Sequence, residues 1–342
     1  MNGCERILAA FRGEHTDAVP IMLHNFMMAA HEAGITMRQY REDPSAIARA
    51  FIQAVEEYGY DGVLVDVDTV TLAGAVGVPC DYPAGEPARV RGPLLTDLSA
   101  VGDLPDIQIS TDRRVGVWLE AVRLLRNYFG DEIAVRGNCD QCPFTLAGMI
   151  RGMDSWMMDL LNPDREEEIR RLLEYSSGIT VQFLRLMAAA GAHILSNGDS
   201  AAGPDLVSPA LYRRFALPYE RKTVEESHRV GLPYVLHICG NTGAILDGML
   251  LTGADGLELD YKTDARLAHE RMKHRAVFLG NIDPSGVLAL GTPALVEQAT
   301  HDLLMLFRDT PRFILNAGCA IPPLTPPHNL RAMIRRARSV RG

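Results

Sequence analysis

Three side chains, widely separated along the chain, carry donor atoms of the kind that grip a transition metal: His237, Cys239 and Cys319. His237 and Cys239 lie two residues apart, and on a β-strand positions i and i+2 face the same way, so imidazole and thiol converge. Two thiolates and an imidazole suit Zn²⁺ in tetrahedral coordination. With only three protein ligands a fourth position stays open, as in catalytic rather than structural zinc sites. Cys139 and Cys142 form a C-x-x-C pair without a second such pair. They read as packing or pocket lining, with a redox or secondary metal role as the alternative.

Such a site needs elements that bring residue 319 to residue 239. The chain alternates short apolar runs with longer amphipathic stretches. The runs are VPIMLH (19–24), GVLVDVD (62–68), EIAVRGN (132–138), AHILSNG (192–198), PYVLHIC (233–239), DGLELD (255–260), AVFLGNI (276–282) and RFILNAG (312–318). Their Val, Ile and Leu content suits parallel strands buried on both faces, and the segments between them, such as 45–59, 165–191 and 293–307, have helical periodicity. Eight strand–helix units in one chain predict an α/β fold, a (β/α)8 TIM barrel occupying 1–342 as a single domain. An open doubly wound sheet is the runner-up, but no G-x-G-x-x-G follows an early strand. In a barrel, reactive groups belong at the C-terminal strand ends. These ends carry His24 and Asn25, Asp66 and Asp68, Asn138, Cys139 and Asp140, Asn197 and Asp199, His237 and Cys239, Glu258 and Asp260, Asn281 and Asp283, and Asn316 and Cys319.

Composition narrows the function. With 34 Lys and Arg against 43 Asp and Glu the formal charge is −9, so a general nucleic-acid binder is not expected. Arg331, Arg335, Arg336, Arg338 and Arg341 cluster at helical spacing and read as a solvated helix end. No apolar run approaches the about 18 residues of a membrane span and the N-terminus has no signal-peptide core, so a soluble, cytoplasmic protein is expected, without membrane partners. Six scattered cysteines do not make a disulfide scaffold.

The segments LHICGNTGAILDGMLLTGADGLELDYKTD (236–264), FLGNIDPSGVLALGTP (278–293) and NAGCAIPPLTPPHNLRAMI (316–334) resemble the uroporphyrinogen decarboxylase superfamily. Within it they look most like the corrinoid-dependent zinc methyltransferases of the methylcobalamin:coenzyme M type. ERILAAFRGEHTDAVPI (5–21) and CPFTLAGMIRGMDSWMMDLLNPD (142–164) match as well, so the resemblance covers nearly the whole chain. The decarboxylases carry an R-Q-A-G-R stretch after the first strand that binds substrate carboxylates; here it reads His24-Asn25-Phe26-Met27-Met28-Ala29 and has no arginine. Asp68 stands where the decarboxylases keep a pyrrole-binding aspartate. The decarboxylases use no metal, whereas the methyltransferase branch has the zinc ligands that match His237, Cys239 and Cys319.

The resemblance implies methyl transfer between a small molecule and the cobalt of a corrinoid. No D-x-H-x-x-G stretch is present, so the corrinoid is expected on a corrinoid-binding partner protein or as free cofactor; a homodimer is compatible with the resemblance. Zinc would polarise the oxygen of a methyl ether, as in O-demethylation of a methoxylated aromatic, or hold an acceptor thiol as thiolate. The apolar HNFMM segment favours the donor side; transfer from methylcobalamin to a thiol such as coenzyme M, or to tetrahydrofolate, is the alternative. Metal-free uroporphyrinogen decarboxylation and a non-catalytic corrinoid-binding role are the other classes. Asp199 is expected as a fourth ligand or as the group that orients His237, with Glu258 and Asp260 as substitutes, and His24 as proton donor to a leaving phenoxide. Asn25, Phe26, Met27, Asp68, Asn138, Asn281 and Asp283 are expected around the pocket, although Asp283 before Pro284 also fits a helix cap.

Overall fold

The computed structural model describes residues 1–340. Eight parallel strands form one sheet in chain order: β1 (Met22–Leu23), β2 (Gly62–Val65), β3 (Ala134–Gln141), β4 (Ile194–Gly198), β5 (Tyr234–Ile238), β6 (Gly256–Leu259), β7 (Val277–Ile282) and β8 (Phe313–Ala317). A parallel bridge between Ile21 and Leu315 joins the two ends, with the Leu315 amide donating to Pro20 O at 2.9 Å. The (β/α)8 barrel read from the eight runs is the fold observed; seven strands lie inside their expected runs, and β3 continues three residues past its own, to Gln141.

The helices follow from local signals. Helix Pro44–Tyr58 starts where the Asp43 carboxylate accepts from the Ser45 amide, with proline at its first position, and stops at Gly59, whose φ of 67° is left-handed. Between β2 and β3 the chain makes a long excursion that includes a short antiparallel pair, Cys80–Asp81 with Arg89–Val90, and helix Arg113–Phe129. The length of the chain left room for such additions, but no run in the sequence marked this pair. Among the described residues no helix is long and apolar enough to cross a membrane.

Alternation along the strands stacks the barrel interior in layers. The lower layer is apolar, with Met22, Ala134, Ile194, Val235, Val277 and Ile314 packed with Ile7 of the N-terminal helix Gly3–Arg12. Two residues further along, the inward positions become Arg136 on β3, His237 on β5 and Asn316 on β8. The bottom is closed to water, and the polar positions collect at the other end.

Asp61 fastens that bottom. Its buried carboxylate accepts from the Ile21 amide (2.9 Å), Arg6 (3.0 Å) and Arg338 (2.8 Å). Arg338 also donates to Val19 O and Gly59 O, so the basic C-terminal cluster is not simply a solvated helix end: the last helix, Pro327–Arg338, is tied to the barrel floor. Arg341 lies outside the described residues. Removing Asp61 deprives the Ile21 amide of its acceptor and takes one carboxylate from Arg6, which keeps Asp17, and from Arg338, which keeps two backbone oxygens. Asp61→Ala is expected to lower unfolding free energy by about 3 kcal/mol while the metal content of the folded fraction stays unchanged. Urea unfolding and elemental analysis check both halves.

Candidate metal centre

His237 is the penultimate residue of β5, Cys239 directly follows that strand, and Cys319 lies two residues past the end of β8. Their donor atoms all lie within 4.8 Å of one another. His237 Nε2 is 3.2 Å from Cys239 Sγ, while Nδ1 is 2.9 Å from the backbone oxygen of Glu258. A carbonyl only accepts, so Nδ1 carries the proton that meets it and Nε2 is the nitrogen presented to the sulfurs. Ser200 Oγ donates to Cys239 Sγ at 3.1 Å.

The electrostatics are those of a cation site. A hydrogen bond from Cys319, with His237 and Ser200, outweighs burial and pulls Cys239 well below the usual thiol range. Burial drives the imidazole of His237 down, but the Cys239 thiolate and Glu258 win and push it up to about 10. Cys319, donating to a thiolate and buried, is pushed up. Protons on nitrogen and sulfur therefore offset thiolate charge where a divalent ion would do so, and two sulfurs with one nitrogen fit Zn²⁺.

Beneath the sulfurs lies a buried network centred on Glu258. Its Oε2 accepts from Arg136 (2.6 Å) and its Oε1 from Asn316 Nδ2 (2.8 Å), with His24 Nδ1 3.7 Å away. Burial raises this carboxyl, yet the positive field of Arg136, with His24 and His237, holds it at about 2. His24 Nε2 meets Asp66 at 2.8 Å, and Asp66 also accepts from Asn138 at 3.0 Å. The His24 amide donates to Asn316 Oδ1, and His24 Nδ1 has no hydrogen-bond partner.

These groups form the floor of a cavity of about 840 Å³ whose walls include Phe26, Met27, Ile35, Met37, Val67 and Leu324. Of the residues expected around the pocket, Phe26, Met27, Asp68 and Asn138 line it, and Met28 is fully buried in packing. Asp68 Oδ1 is taken by the Val70 amide and Thr71 hydroxyl; Oδ2 has no partner, and burial raises the carboxyl.

Other positions correct the expectation. The Asp199 carboxylate accepts from the Thr145 amide and hydroxyl and sits beside Glu220, so it neither meets His237 nor joins the donor cluster. Only its backbone amide reaches His237 O. The group that orients the imidazole is the Glu258 carbonyl. Asn25 turns from the cavity toward Tyr60 (3.4 Å). Asn281 donates to the backbone oxygens of Asp260 and Thr263, Asp260 accepts from the Gly240 amide, and Asp283 caps the turn at Ser285 and Gly286. Those three build the loops that carry the site. Cys139 and Cys142 are buried, their thiols near Gly137 O and Tyr234 Oη, outside the donor cluster. Arg136, Ser200 and Arg41, all lining the cavity, were missed. A charged residue inside the apolar run EIAVRGN was the legible sign of Arg136; nothing in the sequence marked the other two.

The sequence matches the uroporphyrinogen decarboxylase (URO-D) family over residues 2–340. It is 28% identical over 340 residues to the methylcobamide:CoM methyltransferase MtbA of Methanosarcina acetivorans, covering 98% of this chain and 97% of that one. It is 30% identical over 354 residues to a uroporphyrinogen decarboxylase of Synechococcus sp. (strain CC9605), covering 98% and 96%. A solved methyltransferase from Methanosarcina mazei superposes with a TM-score of 0.90 at 25% identity, covering 99% of each chain. With its barrel, its closed floor and nearly its whole length accounted for, the chain belongs to the uroporphyrinogen decarboxylase family.

Proposed function

We propose that this protein is a corrinoid-dependent methyltransferase that holds zinc through His237, Cys239 and Cys319 and moves a methyl group between a small molecule and cobalt. The observation that carries the reading is the convergence of those three donors on the wall of the cavity. Bound there, zinc supplies Lewis acidity toward a methyl-ether oxygen or holds an acceptor thiol as its thiolate. The corrinoid is a substrate, delivered by a carrier protein or free. A decarboxylase reading is disfavoured by the cationic inventory: of the two arginines lining the cavity, Arg136 is engaged by Glu258, which leaves too few for a substrate with many carboxylates.

The donor side fits the cavity best. Its apolar walls and volume suit a methoxylated aromatic better than a very small thiol. In that direction the ether carbon–oxygen bond breaks, the carbon–cobalt bond forms, and the electron pair stays on oxygen. His24, donating to Asp66 through Nε2, has Nδ1 without a hydrogen-bond partner, and in its protonated form can deliver a proton to that oxygen. Phe26, whose ring centroid lies 5.7 Å from that of His24, and Met27 exclude water around it. The names of the MtbA relatives favour a second reading, transfer from methylcobalamin to a thiol.

Three outcomes test these assignments. Purified protein should carry about one zinc per chain and methylate cob(I)alamin from one member of a methoxyaromatic panel, or demethylate methylcobalamin with one thiol; Cys319→Ser should lose zinc and turnover together. Full turnover without metal would overturn the proposal. Loading metal-free protein with Zn²⁺ at pH 8 should release about two protons per ion, one each from His237 and Cys319, because Cys239 is already ionised. Affinity should therefore fall as pH is lowered, and a weakly buffered titration reads the release directly. Finally, His24→Gln should keep zinc while cutting kcat with a methoxyaromatic donor about 100-fold. An equal loss in methylcobalamin-to-thiol transfer would remove His24 from the leaving-oxygen role.

A further inference from the structure

Arg41, in the short helix Met37–Glu42, lines the same cavity and is 3% exposed. A buried guanidinium usually faces a carboxylate, because an uncompensated charge out of water is costly. Among the described residues Arg41 makes no ion pair. Its terminal nitrogens donate to two backbone oxygens, Pro83 O at 2.7 Å and Glu86 O, and its Nε has no partner. The Glu86 carboxylate, which could have served, is paired with Arg89 at 2.8 Å. Asp68 is the acid whose field reaches Arg41, and it makes no ion pair with it; its Oδ1 is taken by the Val70 amide and the Thr71 hydroxyl. Arg114, stacked on Tyr82 with 3.5 Å between guanidinium and ring centre, adds positive potential near the same wall. The cavity thus has a buried cation without an ion-pair partner in one wall and metal-type donors in another.

We propose that Arg41 is an anion-recognition residue, and that the small molecule which gives or takes the methyl group carries a carboxylate or sulfonate held by Arg41. The planar guanidinium fork matches either oxyanion, and the apolar wall between suits the ring or alkyl body of such a ligand. The inference rests on the methyl-transfer reading for the role of the ligand, but not for its binding.

Calorimetry on zinc-loaded protein without corrinoid tests it with matched pairs: 4-methoxybenzoate against methoxybenzene, and 2-mercaptoethanesulfonate against 2-mercaptoethanol. At least one anion should bind about tenfold or more tighter than its neutral analogue, and the pair that shows the preference identifies carboxylate or sulfonate. Arg41→Met should abolish that preference and leave the neutral analogue within about twofold of wild type. If Arg41 only latches the 83–86 segment, the variant weakens both members equally, and the proposal falls. It falls as well if the wild type prefers neither anion. Should Arg41→Met fail to fold, Arg41→Lys decides: with charge kept and the fork lost, a selective drop in anion affinity supports recognition, and unchanged affinity overturns it. Anion binding through Arg41 without methyl transfer in the cob(I)alamin assay would sink the proposed function while leaving this subsite standing.

Discussion

Glu258 holds the site together through two different parts of one residue. Its carboxylate binds Arg136 and Asn316 and faces His24, while its backbone oxygen fixes Nδ1 of His237. The side-chain bonds set a charged layer across the barrel, and the carbonyl sets which imidazole nitrogen turns toward the sulfurs. A buried ion pair of this kind is weak evidence of net stabilisation, because desolvating Arg136 and Glu258 offsets much of their attraction. Its effect is on geometry: the Glu258 carbonyl fixes Nδ1 of His237, and with both carboxylate oxygens taken by Arg136 and Asn316 the Nδ1 of His24 is left without a hydrogen bond.

That arrangement depends on the layer beneath it. The apolar floor formed with the N-terminal helix keeps water away from the Arg136–Glu258 pair, so their interaction operates in a poorly screened interior. The parallel register then lifts successive inward residues to defined heights. His237 lies beside Glu258 because β5 and β6 pair at that position, and Cys319 reaches Cys239 because β8 ends at the same rim. Closing the barrel is what turns distance along the chain into proximity.

The sequence made the strands and the donor triad legible for one reason: both depend on period-two alternation and on the direction of parallel strands. The same rule was too coarse elsewhere. A polar residue at a strand end is placed at the mouth, but not on a particular face of it. Asp199 and Asn25 turn into the surrounding layer, and Asp260, Asn281 and Asp283 satisfy loop amides and carbonyls. Carboxylates and amides are the residues that loops need as well as the ones chemistry needs, so residue type cannot separate the two uses. Arg41 was invisible for a different reason. It lies outside any strand, and its burial depends on the 83–86 segment folding over it, a contact made across 42 residues of chain to Pro83.

The relatives of this chain include both uroporphyrinogen decarboxylases and methylcobamide:CoM methyltransferases, and the contents of its cavity bear on which chemistry is proposed for it. Recognition of a many-carboxylate macrocycle calls for several free guanidinium groups and a wide polar mouth. Here the wall after β1 presents Phe26 and Met27, and the charge of Arg136 is paired with Glu258 through Nη2. What remains is one unpaired cation, an apolar middle and a sulfur-rich corner. Each favours a ligand with one charged end and one end presented to a metal, and a tetrapyrrole with acids around its rim satisfies neither condition. The fold supplies the rim, and the proposed chemistry rests on what this chain places there: few free cations and two thiols beside an imidazole.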